Sequence, residues 1–246
     1  MSPPTFVRMV RAWRSAMPEM GDNPLAAIER LERVAYGTRL LRSAVDALWE
    51  ELPTPSSRRM AVVRGFGSVV GQHTKAQQVL IQSGLDVSAS TLVRPTYEAL
   101  LRTMWALKGA EDAWIDGFLS ARPEALRSDA ETRKGPDVEA MLKTISQHHP
   151  PSVVAPLEAL KAATWRGMHS YVHGGIRAVA QSSMPFPHQE MGSVLINANV
   201  MLIMATEAVR TAHGLLSPTL PLLRSQYADC LPSATDVTTA SISPQM

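Results

Sequence analysis

The 246-residue chain contains one cysteine, Cys230. A lone thiol excludes an internal disulfide and any cysteine-built zinc site, and it fits a reducing, cytoplasmic setting. Aromatic residues are only 5% of the chain, and alternating β-branched runs joined by hairpin turns are missing, which argues against a sheet. The opening residues Met1-Ser2-Pro3-Pro4-Thr5 lack the apolar stretch of a secretory leader. The most apolar run, 194–205, is interrupted by Asn197 and Asn199. It is too short for a bilayer, so no membrane partner is expected. The formal charge of +2 is too small to announce nucleic acid by itself. Arginine outnumbers lysine 19 to 5; arginine is the better phosphate fork, and it is also what a GC-rich genome encodes. No dinucleotide fingerprint, phosphate loop, H-E-x-x-H zinc motif or nucleophile elbow is present. No cofactor and no metal are therefore expected.

Helical signals dominate what is there. Ala, Leu, Met, Glu and Arg recur three and four residues apart. Asp22-Asn23-Pro24 starts a helix over 25–51, with Leu31, Val34, Leu41, Val45 and Leu48 as its apolar stripe. Pro53-Thr54-Pro55 breaks it, and Ser57 caps a second helix over 58–83 that Gly84 ends. Gly65, Gly67 and Gly71 weaken that helix by about 1 kcal/mol each relative to alanine, and they predict a closely packed neighbour. A third helix reaches 108, with Pro95 as its start or kink. Shorter helices are expected over 111–120, 123–133 and 136–147. Pro150, Pro151 and Pro156 bracket a turn before a helix over 157–172, ended by Gly174-Gly175. Met184-Pro185-Phe186-Pro187 is a loop, and the last strong helix covers 189–215. Beyond it a Pro/Ser/Thr-rich tail should be loosely held or packed on a neighbouring subunit. The expected organisation is an N-terminal segment (1–22), an all-α antiparallel bundle of long helices with shorter connecting helices (23–216), and the C-terminal tail (217–246). Apolar and small-residue helix faces make a homodimer the expected assembly.

The residues richest in chemistry lie in Trp165-Arg166-Gly167-Met168-His169-Ser170-Tyr171-Val172-His173-Gly174-Gly175. On a helix, Arg166, His169 and His173 fall within about 60° of one another. Arg166 can fork a phosphate and offset charge developing in a transition state, and the imidazoles suit general acid–base work. These are the parts of a metal-independent RNA-cleaving site. They are equally the parts of a satisfied polar cluster in a helical core. A second set, Arg94, Glu98 and Arg102, forms a ladder at four-residue spacing, with Tyr97 within it and Trp105 close to the same face. It reads as helix-joining structure, or as an arginine clamp for an acidic or phosphorylated ligand with Glu98 orienting the guanidiniums. Adjacent His148 and His149 point apart and make a poor metal pair. His73 reads as solvated or core-edge, His213 as a favourable cation at a helix C-terminus, and Cys230 has no local activating pattern.

The spacing Arg166-(six residues)-His173 resembles the R-x4-6-H motif of the HEPN superfamily. Those proteins are small helical bundles, often homodimers, and many are toxin or phage-defence ribonucleases. The resemblance implies Arg166 as phosphate-binding cation and His173 as general acid or base, with His169 supporting or contacting substrate. It also implies RNA as substrate, a composite site with one motif from each subunit, and an antitoxin or defence partner protein. Arg94-Pro95-Thr96-Tyr97-Glu98, then Arg102 and Trp105, with Tyr171-Val172-His173-Gly174-Gly175 downstream, resembles a bacterial helical family of unknown function over about residues 25–215.

Two functions follow as expectations. One is a HEPN-like ribonuclease. The other is a non-catalytic binding protein in which Arg94, Glu98, Arg102, Arg166 and His173 form a buried polar network or a pocket for a small anion. Burial against Glu98 favours the second, and exposure in a groove favours the first.

Overall fold

The structure is a computed structural model that describes residues 24–120, 135–183, 187–215 and 219–232. Among the described residues there are ten α-helices, one 3-10 turn and no strand. The helix expected over 123–133 and residues 184–186 of the expected loop lie outside them.

Four long helices make the centre. These are α1 (Pro24–Glu50), α2 (Arg58–Gln82), α4 (Val93–Leu107) and α9 (His188–Ala212), with α3 (Asp86–Thr91) between α2 and α4. Helix α9 packs along α1, α2 and α4, and α2 along α4. α9 is the one helix among the described residues long and apolar enough to cross a membrane, yet 67% of its most apolar window is buried in the bundle. That is how a central core helix reads.

Local chemistry sets the boundaries. Ser57 caps α2 by accepting from the Met60 amide at 3.2 Å. Gly84, at φ +69°, ends it, and the Leu85 amide turns back to the Leu80 carbonyl at 2.8 Å. Pro95 has no N–H for the Thr91 carbonyl four residues back, so α3 stops at Thr91 and α4 begins at Val93, with Pro95 in its first turn. Of the three α2 glycines, only Gly67 makes the expected close approach. A Cβ there would stand 2.5 Å from Val209 Cγ2 and 3.2 Å from the Trp49 ring, whereas nothing lies within 4 Å of one at Gly65.

Smaller helices clothe one side. α5 (Asp112–Leu119) is pinned by an aromatic chain: Trp105 to Trp114 at 4.6 Å, Trp114 to Phe118 at 5.0 Å, Phe118 to Phe66 at 5.3 Å. α6 (Val138–His148) and α7 (Pro151–Val172) follow, then α8 (Ile176–Ser182), an element not expected from sequence. The expected turn around Pro156 is absent. Pro151 takes the first position of α7, where its missing N–H is harmless, and Pro156 is carried inside the helix.

Of the C-terminal tail expected over 217–246, loosely held or packed on a neighbouring subunit, residues 219–232 are described. α10 (Thr219–Gln226) and a 3-10 turn (Ala228–Cys230) dock onto α1 and α9, burying Leu223 and Cys230 in a core shared with Val34, Leu41, Val45, Leu195, Leu202 and Ile203. Asn199 directs this docking. Its Nδ2 donates to Thr38 Oγ1 at 2.8 Å and to the Cys230 carbonyl at 2.9 Å. Gly37 leaves the room, since a Cβ there would stand 3.0 Å from that of Cys230.

Candidate functional site

Helix α7 lies against α3, α4, α6 and α8, on the outside of the bundle. Tyr97 fixes it there. The side chain is 1% exposed, its hydroxyl donates to the Leu157 carbonyl at 3.0 Å, and its ring meets Trp165 edge-on at 6.4 Å. Burial, with Glu139 and Glu158 adding to it, pushes the phenol above the usual tyrosine range. Tyr97 is thus a structural anchor rather than a group facing a ligand.

Along α4, Arg94, Glu98 and Arg102 share one half-buried face. Arg94 Nε donates to Glu98 Oε1 at 2.9 Å, and Arg102 Nη1 stands 3.9 Å from Glu98 Oε2 while donating to the Glu98 carbonyl at 3.3 Å. Such pairs at four-residue spacing contribute about 0.3–0.5 kcal/mol each, which orders side chains but does not decide the fold. Arg94 also reaches across to α7. Its Cζ lies over the Trp165 ring at 4.9 Å, and Nη1 meets His169 Nδ1 at 2.9 Å. A guanidinium only donates, so Nδ1 accepts and this contact assigns the ring proton to Nε2. The rings of His169 and His173 are 4.5 Å apart, and both side chains are exposed. Lys161 Nζ stands 5.8 Å from the Trp165 ring centre and pairs with Glu139. An open groove of about 570 Å³ between α6 and α7 adjoins this cluster, lined by Trp165, Lys161, Lys143 and Glu158 among others.

The turn after His173 is closed by two glycines with different reasons. Gly174 sits at φ +61°, and the Gly175 amide turns back to the Ser170 carbonyl at 2.7 Å. A Cβ at Gly175 would be 2.7 Å from Ser170 Oγ, and that hydroxyl accepts from the Arg177 amide at the start of α8. The Gly pair therefore leaves His173 as the residue that caps α7.

The structure brings together Arg94, Glu98, Arg102, His169 and His173. It does not bring Trp105 to them, because that ring belongs to the aromatic chain with Trp114. Trp165 takes the place expected of Trp105. The sequence signal was its position immediately before Arg166, at four-residue spacing from both Lys161 and His169. Arg166 lies in α7, with its side chain outside the described residues.

His149 Nε2 contacts the Met104 carbonyl at 3.0 Å, tying the corner between α6 and α7 to α4, and burial pushes its pKa below the usual value. His148 Nδ1 contacts the Thr144 carbonyl at 2.8 Å. Burial also lowers His73. His213 caps α9, and desolvation and then Arg64 push its pKa below the usual value. The Cys230 thiol is buried, and its pKa is pushed up to about 11. Among the described residues no three His, Cys, Asp or Glu side chains gather as a metal site.

No curated protein and no solved structure matches the chain. Residues 67–233, from the middle of α2 through the docked 3-10 turn, match a family of unknown function, DUF6988, and the chain belongs to that family.

Proposed function

We propose that this DUF6988 protein is a metal-independent ribonuclease of the HEPN-like kind, acting as a homodimer in a toxin or phage-defence system. One observation carries the reading: two exposed imidazoles lie 4.5 Å apart, with one of them held by an arginine. Neither position is needed to fill the core, and Trp165, one turn before His169 on α7, edges an open groove together with Lys161. In the proposed reaction Arg94 and Arg166 hold the phosphate, and His169 donates to it through Nε2–H. His173 accepts the proton of the ribose 2′-hydroxyl, whose oxygen attacks the adjacent phosphorus. The 5′-oxygen departs with the proton returned from His173, leaving a 2′,3′-cyclic phosphate and a free 5′-hydroxyl.

A second reading rests on Glu98. It stands against both Arg94 and Arg102, as a non-catalytic network built to present one half-neutralised guanidinium to an anion would require. The two readings part in one experiment. Wild type and His173→Ala are induced at matched levels, and growth and total RNA are followed. The purified proteins are then incubated with single-stranded RNA in EDTA. Cleavage by wild type alone, leaving cyclic phosphate ends, supports the nuclease. Intact RNA under both conditions, with retention of RNA that Arg94→Ala abolishes, supports the binding protein and sinks the nuclease.

A further inference from the structure

A separate cavity of about 250 Å³ lies where α4, the corner between α6 and α7, α9 and α10 meet. It shares no lining residue with the histidine cluster. Its floor is apolar: Met104, Met204 and Ala208 are all buried. Its rim is unusually rich in unused donors. Lys108, Ser152 and Thr211 line it, and none of their side chains has a hydrogen-bond or ion-pair partner among the described residues.

The prolines explain why the rim is open. Pro151 has no N–H, so the Ser152 amide is the first donor of α7. Pro156 has none either, so the Ser152 carbonyl lacks its usual partner four residues on. Ser152 thus lines the cavity at the positive end of a 22-residue helix, with an amide that no carbonyl of that helix takes up. The charges at the rim sum to one. Arg224 is paired with Glu207 at 3.4 Å, burial pushes the His149 pKa below its usual value, and Lys108 is left over.

We propose that this cavity binds a small monocarboxylate with a short apolar body. The carboxylate would sit on Lys108, Ser152 and Thr211, and the apolar body on Met104, Met204 and Ala208. One surplus positive charge matches a monoanion better than a phosphate dianion, and apolar floors with a few convergent polar groups are how small-ligand sites are built. At the roughly 30 Å³ that a water-sized group occupies in a liquid, the cavity holds about eight heavy atoms.

Hexanoate, with that many heavy atoms, is the probe, and hexan-1-ol is its neutral counterpart. Isotope-labelled full-length protein is titrated at pH 7 while amide resonances are followed. Saturable shifts at Lys108, Ser152 and Thr211, with a dissociation constant below about 10 mM, are expected for hexanoate. Binding should weaken at least about tenfold for hexan-1-ol and for Lys108→Met, and also for Thr211→Val, since one tenfold step corresponds to one charge-assisted hydrogen bond. His169→Ala/His173→Ala should bind as wild type does. Absent or linear shifts, equal binding by both exposed-site variants, or shifts centred on His169 instead would each overturn the proposal. Lys108 and Thr211 are exposed, so neither variant threatens folding.

Discussion

Gly67→Ala and Gly65→Ala are the same substitution on the same helix, yet the structure gives them opposite signs. Alanine in a helix interior is better than glycine by about 0.8–1.0 kcal/mol. At Gly65 that gain stands alone, because a new Cβ meets nothing within 4 Å. At Gly67 the Cβ would lie 2.5 Å from Val209 Cγ2 and 3.2 Å from Trp49. Val209 is fully buried and β-branched, so it has no cheap rotamer to retreat into. Overpacking of this kind costs about 1–3 kcal/mol. The net expectation is a gain of up to about 1 kcal/mol at Gly65 and a loss of up to about 2 kcal/mol at Gly67. For a chain of this size each kcal/mol is worth about 2–4 °C in Tm, so the two variants should separate by several degrees. Urea denaturation with matched m-values gives the comparison directly. A coupling term settles the cause: Val209→Ala should cost less in the Gly67→Ala background than alone. Equal stability of the two glycine variants, or strict additivity with Val209→Ala, would refute the argument that α2 and α9 touch at Gly67.

Other perturbations test other joints. Asn199→Ala removes both donors that hold the C-terminal turn; a loss of about 2–3 kcal/mol is expected, along with faster labelling of Cys230 by a thiol reagent, and unchanged labelling would show that the turn is held some other way. Tyr97→Phe loses the bond to the Leu157 carbonyl and should cost about 0.5–1.5 kcal/mol without altering any RNA cleavage measured beside it. Acidification should weaken the fold. His149, His73 and His213 all have pKa values lowered by burial, so the unfolded chain takes up their protons first. Stability is then full above the ordinary histidine range near 6.5 and falls as pH drops through that range toward the lowered native values. Tm measured from pH 7.5 to 5 should decline, and His149→Gln should reduce the slope; a flat profile contradicts the burial of these rings.

The fold was legible because its causes are local. Ser57, Gly84 and the Gly174-Gly175 pair announce helix ends by chemistry that any neighbour would leave intact. What was hidden depends on contacts between distant residues. Pro156 reads as a breaker until α7 is seen to begin at Pro151 and to carry it. The region after 217 reads as a tail because its few apolar residues have no period, and only Asn199, Thr38 and Gly37, far away in sequence, make a seat for it. At the site, helical spacing put His169 and His173 on one face and joined Arg94 to Glu98. Spacing within α4 could not show that Trp105 turns toward Trp114 while Trp165 on α7 meets Arg94.

The residues that carry the sequence resemblance divide into structural and idle parts, and the division locates any chemistry. Pro95 places the start of α4, Tyr97 anchors α7, Glu98 orders two arginines, Gly174 and Gly175 close a turn, and Tyr171 is buried and donates to Gln181. Each has work to do in the fold. The His173 imidazole has none: the residue caps α7 through its backbone N–H, while its side chain is exposed and has no hydrogen-bond partner among the described residues. His169 has one, with Arg94, on the surface. Substitutions of exposed side chains that make no capping bond and fill no core usually change stability by less than about 0.5 kcal/mol. His173→Ala and His169→Ala should therefore melt with wild type, within about 2 °C, whereas Tyr97→Phe should not. If the histidine variants lose RNA cleavage at full stability, the imidazoles are there for chemistry. If instead either one unfolds the protein, the pair is structural after all, and the nuclease reading loses the observation on which it stands.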